Sequence, residues 1–373
     1  MKKICLILGA LALLASCEGD HSEPVAVRQV LLVYLGGNSN LSWESYGKLD
    51  AIRQGWNGAQ DTKILIYHDP ANATPSLQEL VRKKGENVAE VVASYEEENS
   101  ASAEVFGRVI QTVKNRYEAA TSYGLLVFSH GTGWLPPTGM YANPRAAATR
   151  SIVVDGGAEM DIIDMAAAIP DGLFDHIVFE ACLMANIEVV YEFRNKAKYI
   201  LAAAAEIVSP GFTPIYPASV NKLLGGYAGL QSFAQDAFDY FSRQSGWEQS
   251  ATFSIIHTAA LGELKSFVAA NADFSKPIDS DALQDFTRKS YHLFFDFGDY
   301  YSRLTEAGRQ PEFARLMGEV VPWKASTPWF LQGSDGGFKI NAHSGLTTYI
   351  VQPNFPQLNA AYEKLQWTQS FNN

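Results

Sequence analysis

Cysteine is scarce in this sequence, with 3 among 373 residues. Cys5 and Cys17 fall in the first seventeen positions, so the body of the chain has Cys182 as its one thiol and cannot be a disulfide scaffold. Basic charge is short as well. Lys and Arg number 29 against 40 Asp and Glu, a formal net charge of -11, and such a chain is a poor partner for nucleic acid phosphates. There is no internal repeat, coiled-coil heptad or low-complexity tract. No histidine pair has the HExxH spacing of a zinc hydrolase, and neither Ser129 nor Ser344 lies in a GxSxG setting. Neither GxxxxGK nor a GxGxxG after the first strand is present, which leaves nucleotide binding unsupported. No cofactor is implied by any motif. Asp155 with Glu159 and Asp161, or Asp335 in GSDGG, could offer oxygens to calcium, but none of these has EF-hand form and solvated turns account for them.

What is present begins with a targeting segment. Lys2 and Lys3 precede the apolar run Ile4 to Leu14, which is too short for a bilayer span and reads as an export signal. Leu14-Ala15-Ser16-Cys17 resembles a bacterial lipobox, in which Cys17 would carry lipid and become the mature N-terminus. Residues 18–27 then form a tether. The expected location is the cell envelope, at the outer membrane or cell surface, with the lipid as the sole membrane contact and the chain acting as a monomer.

The hydrophobic fraction of 47% and charged fraction of 18% are those of a globular protein. QVLLVY (29–34) and KILIY (63–67) are continuous apolar runs of the kind buried on both faces of a sheet. Helical spacing covers Trp43 to Trp56. After Ser102, residues Phe106, Val109, Ile110, Val113 and Tyr117 share one helical face. LLVF, a helix at MDIIDMAAAI, HIVFEA, a helix from Met184 to Phe193 and YILAAAA follow in turn. Strands alternating with helices predict a mostly parallel α/β sheet flanked by helices, over residues 28–217. Residues 218–373 read as an α+β subdomain packed on that core. It would be helical around FAQDAFDYFSRQ and from Leu283 to Leu304, with strands at ATFSIIHTAAL and GLTTYIV.

Two of the apolar runs end on residues with useful chemistry: LLVFSHGTGW reaches His130 and Gly131, and HIVFEACLMANIE reaches Cys182. In open α/β sheets, working residues gather beyond the carboxyl ends of the strands. A thiol of ordinary pKa is only a few per cent ionised at neutral pH, and a histidine beside it stabilises the thiolate and protonates a leaving amine. The backbone N–H groups of Cys182 and Gly131 suit an oxyanion, and a helix opening at Leu183 would bring a positive dipole end to the sulfur. The bland alternative is a buried cysteine serving as a small hydrophobe. His68, His176, His257, His292 and His343 read as surface or satisfied core positions.

The order and spacing are specific, with His130 lying 52 residues before Cys182. Together with LLVYLGGNSNLS, SHGTGW, FEACLMANIEVVYEF, EIVSPGF and the tail SGLTTYIVQP, they make the sequence similar to the clostripain-like cysteine peptidases (peptidase family C11), of caspase-like fold. The resemblance covers nearly all of the chain after the tether. It implies a His130–Cys182 dyad and cleavage of protein or peptide substrates after Arg or Lys. The family's acidic pocket residue two before the nucleophile is here Glu180, a longer side chain than the usual aspartate, and Glu206 falls in the second acidic pocket region. Between the dyad residues, MYANPRAAATRSIVV lacks a helical or strand period before Ser151 and reads there as a surface loop. Some relatives cut themselves in this region, which points to self-cleavage after Arg150 or Arg145; a basic loop that is never cut is the alternative. The rival function is a surface lipoprotein that keeps the fold, lacks activity and binds peptide or glycan.

Overall fold

The computed structural model describes residues 25–96, 98–137, 152–288 and 291–370. Five parallel strands form the centre of a nine-stranded sheet: β1 (Gln29–Gly37), β2 (Thr62–Pro70), β5 (Ser122–Phe128), β8 (Phe174–Glu180) and β9 (Ala197–Ala203). Their spatial order is β9-β8-β5-β1-β2, all neighbours parallel. The continuous apolar runs are explained by burial on both faces, Val30 to Leu35 being at most 2% exposed.

Antiparallel strands extend both sides. The hairpin of β3 (Ser76–Lys83) and β4 (Glu86–Ser94) adds to β2. Its sequence lacks the usual Asn-Gly or Asp-Gly signal. Instead Lys84 at φ 50° and Gly85 at φ 89° make the turn, as a two-residue hairpin loop requires. The short hairpin of β6 (Ile152–Asp155) and β7 (Ala158–Met160) lies outside the large sheet.

On the other side, β10 (Thr252–His257) pairs with β9, and β12 (Trp323–Ser326) pairs with β10. Residues beyond 217 thus complete the same sheet, and one hydrophobic core runs through both halves.

Helix α1 (Ser42–Gly55) groups with the helical turns from Tyr216 to Leu224, while α2 (Ala103–Arg116), α3 (Ile162–Ala168) and α4 (Ile187–Glu192) form a second group. The apolar face foreseen for α2 is the buried one, through Phe106, Val109, Ile110 and Val113. Asp161 caps α3 by accepting from Ile163 N–H at 2.8 Å.

The expected helix from Leu283 to Leu304 is corrected: only Phe297–Leu304 is helical, with the two-residue strand β11 (Phe295–Asp296) before it. Asp285 accepts from Thr287 N–H at 3.0 Å and Phe294 N–H at 3.3 Å, folding the segment back on itself. Asp296 starts the helix instead, accepting from Asp299 N–H at 2.9 Å. GLTTYIV likewise contributes only Thr347–Thr348, paired with β11. Among the described residues, no helix is long and apolar enough to cross a membrane.

Candidate active site

Parallel pairing places the two chemical residues. Phe128 and Glu180 are register partners at the ends of β5 and β8. His130 and Cys182 each lie two residues beyond, at the same carboxyl edge. Both line one cleft of about 370 Å³, together with Leu41, Glu44, Glu206, Trp247 and Arg288.

The turn carrying Cys182 is tightly specified. Leu183, immediately after it, has φ 61°, a left-handed conformation that costs a non-glycine residue on the order of 1 kcal/mol. Several bonds hold it there. Leu183 N–H donates to Ala205 O at 3.0 Å and Ala185 N–H to Ala203 O at 2.9 Å. Asn186 Nδ2 donates to Leu183 O at 2.6 Å. Gly131 packs directly on this turn: a Cβ there would sit 2.7 Å from Cys182 O and 3.0 Å from the Ala181 side chain. Glycine is therefore required by the approach of the two segments.

Helix α4 begins at Ile187, capped by Asn186, and not at Leu183. The turn intervenes, so the foreseen helix-dipole contribution at the sulfur is corrected. Ile207 N–H reaches Cys182 Sγ at 3.4 Å instead. Burial, with the Glu206 carboxylate beside it, pushes the thiol up to about 12 in this conformation. Both effects favour the thiol over the thiolate at rest.

His130 Nε2 lies 2.6 Å from Asn40 Oδ1. With an amide oxygen as partner, Nε2 carries the proton in the neutral ring, which leaves Nδ1 as the basic nitrogen. Asn40, in the loop after β1, escaped sequence reading, although it belongs to the quoted stretch LLVYLGGNSNLS.

Glu180 lines the cleft, yet its carboxylate is already engaged. It accepts from Lys48 Nζ at 2.5 Å, from Phe212 N–H at 2.5 Å and from the Tyr216 hydroxyl. Lys48 also donates to Pro210 O and Thr213 Oγ1, and neither member of the ion pair is more than 1% exposed. Glu206 is engaged as well, by an ion pair with Arg288 whose Nη2 reaches Oε1 at 3.0 Å. Glu44, on the first turn of α1, accepts from Ser209 Oγ at 3.0 Å.

The remaining candidates are dispersed. His68 is buried on Ser45 Oγ at 2.8 Å, and His176 is buried with no hydrogen-bond partner on either ring nitrogen. His292 pairs with Asp285, and His257 stacks on Tyr199. Asp155 is tied to Asn38 Nδ2 and Ser100 N–H, both at 2.6 Å. Among the described residues, no group of three His, Cys, Asp or Glu side chains could hold a metal ion. Cys17, Arg145 and Arg150 lie outside the described residues.

Comparisons with known proteins agree with this arrangement. The profile of the clostripain family matches residues 33–302. The chain is similar to the X-ray structure of an inactive zymogen C11 protease from Parabacteroides distasonis, with 30% identity, coverage of 94% of this chain and 99% of that one, and a TM-score of 0.81. A secreted C11 cysteine protease from Bacteroides thetaiotaomicron, solved with an irreversible peptide inhibitor, shares the fold at 24% identity and a TM-score of 0.79, over 92% of this chain and 99% of that one. No curated protein matches the chain. With a profile match over most of its length, and a caspase-like sheet carrying histidine and cysteine at one edge, the chain belongs to the clostripain family of cysteine peptidases.

Proposed function

We propose that the protein is a cysteine endopeptidase that cuts peptide bonds after a basic residue, with Cys182 as nucleophile and His130 as base. The observation that carries this reading is the shared cleft, which His130 and Cys182 reach from adjacent parallel strands. In the reaction, the thiol proton passes to His130 Nδ1 as sulfur attacks the substrate carbonyl carbon. The imidazolium then protonates the departing amine, leaving a thioester; water attacks that thioester with His130 again as base, the C–S bond breaks to release the acid product, and the imidazolium returns its proton to the Cys182 sulfur. The protein works outside the cytoplasm, anchored through lipid on Cys17. The leader sequence supports this, as does the secreted relative. Self-cleavage after Arg150 or Arg145 belongs to the same proposal.

A resting thiol pushed up to about 12, and two acidic residues already paired with cations, favour a second reading: a binding lipoprotein with a silent site. One experiment separates them. The full chain is incubated with an arginyl chloromethyl ketone, and with a peptidyl-arginine substrate, beside Cys182→Ala. Labelling and turnover that vanish in the variant support the peptidase. Absence of both in the wild type, with peptide still bound, supports the silent binder. Sequencing any new N-terminus in the wild type alone reports self-cleavage.

A further inference from the structure

The charges in the cleft do not balance. Glu180 is cancelled by Lys48 in a buried pair, and Glu206 by Arg288. A substrate cation could reach Glu180 only by displacing an ammonium, a backbone N–H and a hydroxyl from a buried site, and breaking such a pair is strongly unfavourable. At Glu206 it would exchange one guanidinium for another, with little net gain. Glu44 differs from both. It lines the same cleft, is partly exposed, and among the described residues has a neutral hydroxyl, Ser209 Oγ at 3.0 Å, as its partner in place of a cation. Its charge is close enough to Cys182 to disfavour the thiolate.

We infer that Glu44 is the carboxylate that receives the basic side chain of the substrate, and so sets the preference for Arg or Lys. The assignment rests on the peptidase reading above, and it gives the cleft its one unneutralised acidic group among the described residues. A guanidinium or ammonium entering beside Leu41 and Trp247 forms a charge-assisted hydrogen bond with Glu44 while Ser209 continues to orient the carboxylate. The incoming cation also offsets the negative field at Cys182, so the correct side chain eases ionisation of the sulfur that attacks it.

The test uses the full chain and two peptidyl coumarin substrates that differ only in having arginine or citrulline, its neutral isostere, before the scissile bond. The measured quantity is the ratio of kcat/KM for arginine to that for citrulline. Wild type should show a high ratio. Glu44→Gln should lower it by at least about tenfold, the worth of one charge-assisted hydrogen bond. Glu44→Asp should retain part of it. Iodoacetamide labelling of Cys182 checks that each variant keeps its site. A high wild-type ratio that survives Glu44→Gln overturns the assignment and leaves the basic preference standing. A wild-type ratio near one, with turnover of both substrates, overturns the basic preference and this assignment with it. No turnover of either substrate overturns the peptidase reading itself.

Discussion

Lys48 and Glu180 are joined at 2.5 Å, 132 residues apart in sequence, with both side chains removed from water. Lys48 also lies 4.2 Å from the Phe128 ring centroid, so the pair ties α1 to the ends of β5 and β8. Removing one partner strands a buried charge. Lys48→Met should therefore lower stability by about 3–5 kcal/mol, and adding Glu180→Gln should recover part of that loss. Urea unfolding midpoints of the two single variants and the double variant measure it. A double variant that loses the full sum of the singles would mean the two residues are not coupled.

The sulfur gives a second expectation. Because burial first and Glu206 second hold the thiol proton on, alkylation of wild type by iodoacetamide should keep accelerating beyond pH 9 with no plateau near pH 7. Glu206→Gln removes a raising charge and should shift the rate curve to lower pH. A wild-type plateau at neutral pH would show a preformed thiolate and contradict the resting state described above.

Asn40 is a positioning residue for His130. Replacing it with alanine removes the acceptor on Nε2 and lets the ring adopt the unproductive tautomer. The expected result is a fall in kcat of roughly tenfold or more with KM little changed, within the range typical of acid–base contributions. The pH dependence of kcat should shift as well. A change in KM alone would place Asn40 in substrate binding.

Three of the buried groups with shifted pKa values give stability a testable pH dependence. Burial lowers His68 and His176 to about 4 each, so the unfolded chain binds their protons first as pH falls below 6.5. Their contribution is complete above pH 6.5 and is lost between 6.5 and 4, on the order of 2–3 kcal/mol apiece. Burial raises Glu188 to about 7 against the lowering effect of its Tyr349 N–H bond. Its contribution is complete below about 4.5 and is lost as pH rises to 7. Glu188→Gln should accordingly steepen the acid loss and flatten the profile on the neutral side. Unfolding free energies from pH 4 to 8 for both proteins check the signs.

The strands, and the sheet edge that His130 and Cys182 share, were legible because a sheet buried on both faces writes itself as apolar runs. Phe128 and Glu180 end their strands in register, so His130 and Cys182 could be placed on one edge without coordinates. The partners that set the electrostatics were not legible. Lys48 meets Glu180 across 132 residues, Asn40 meets His130 across 90 and Arg288 meets Glu206 across 82. No local pattern encodes such pairs. The β3–β4 hairpin was missed for a local reason, since Lys84 occupies a turn position where Asn or Asp is the usual signal. Asp285 and Asp296, which break the expected helix, act through side-chain bonds that compete with helical ones.

The ladder between β5 and β8 has a practical corollary. The covalent path from one strand to the other runs through residues 129–173, but the strands already adhere along the paired residues Gly124–Phe128 and His176–Glu180. The flanking strands β1 and β9 hold them from either side. The pairing predicts that continuity of the polypeptide between the segments carrying His130 and Cys182 is not needed to hold the two strands together. Two separately encoded polypeptides, one ending after Pro137 and the other starting at Ile152, have the contacts needed to reconstitute the cleft when produced together.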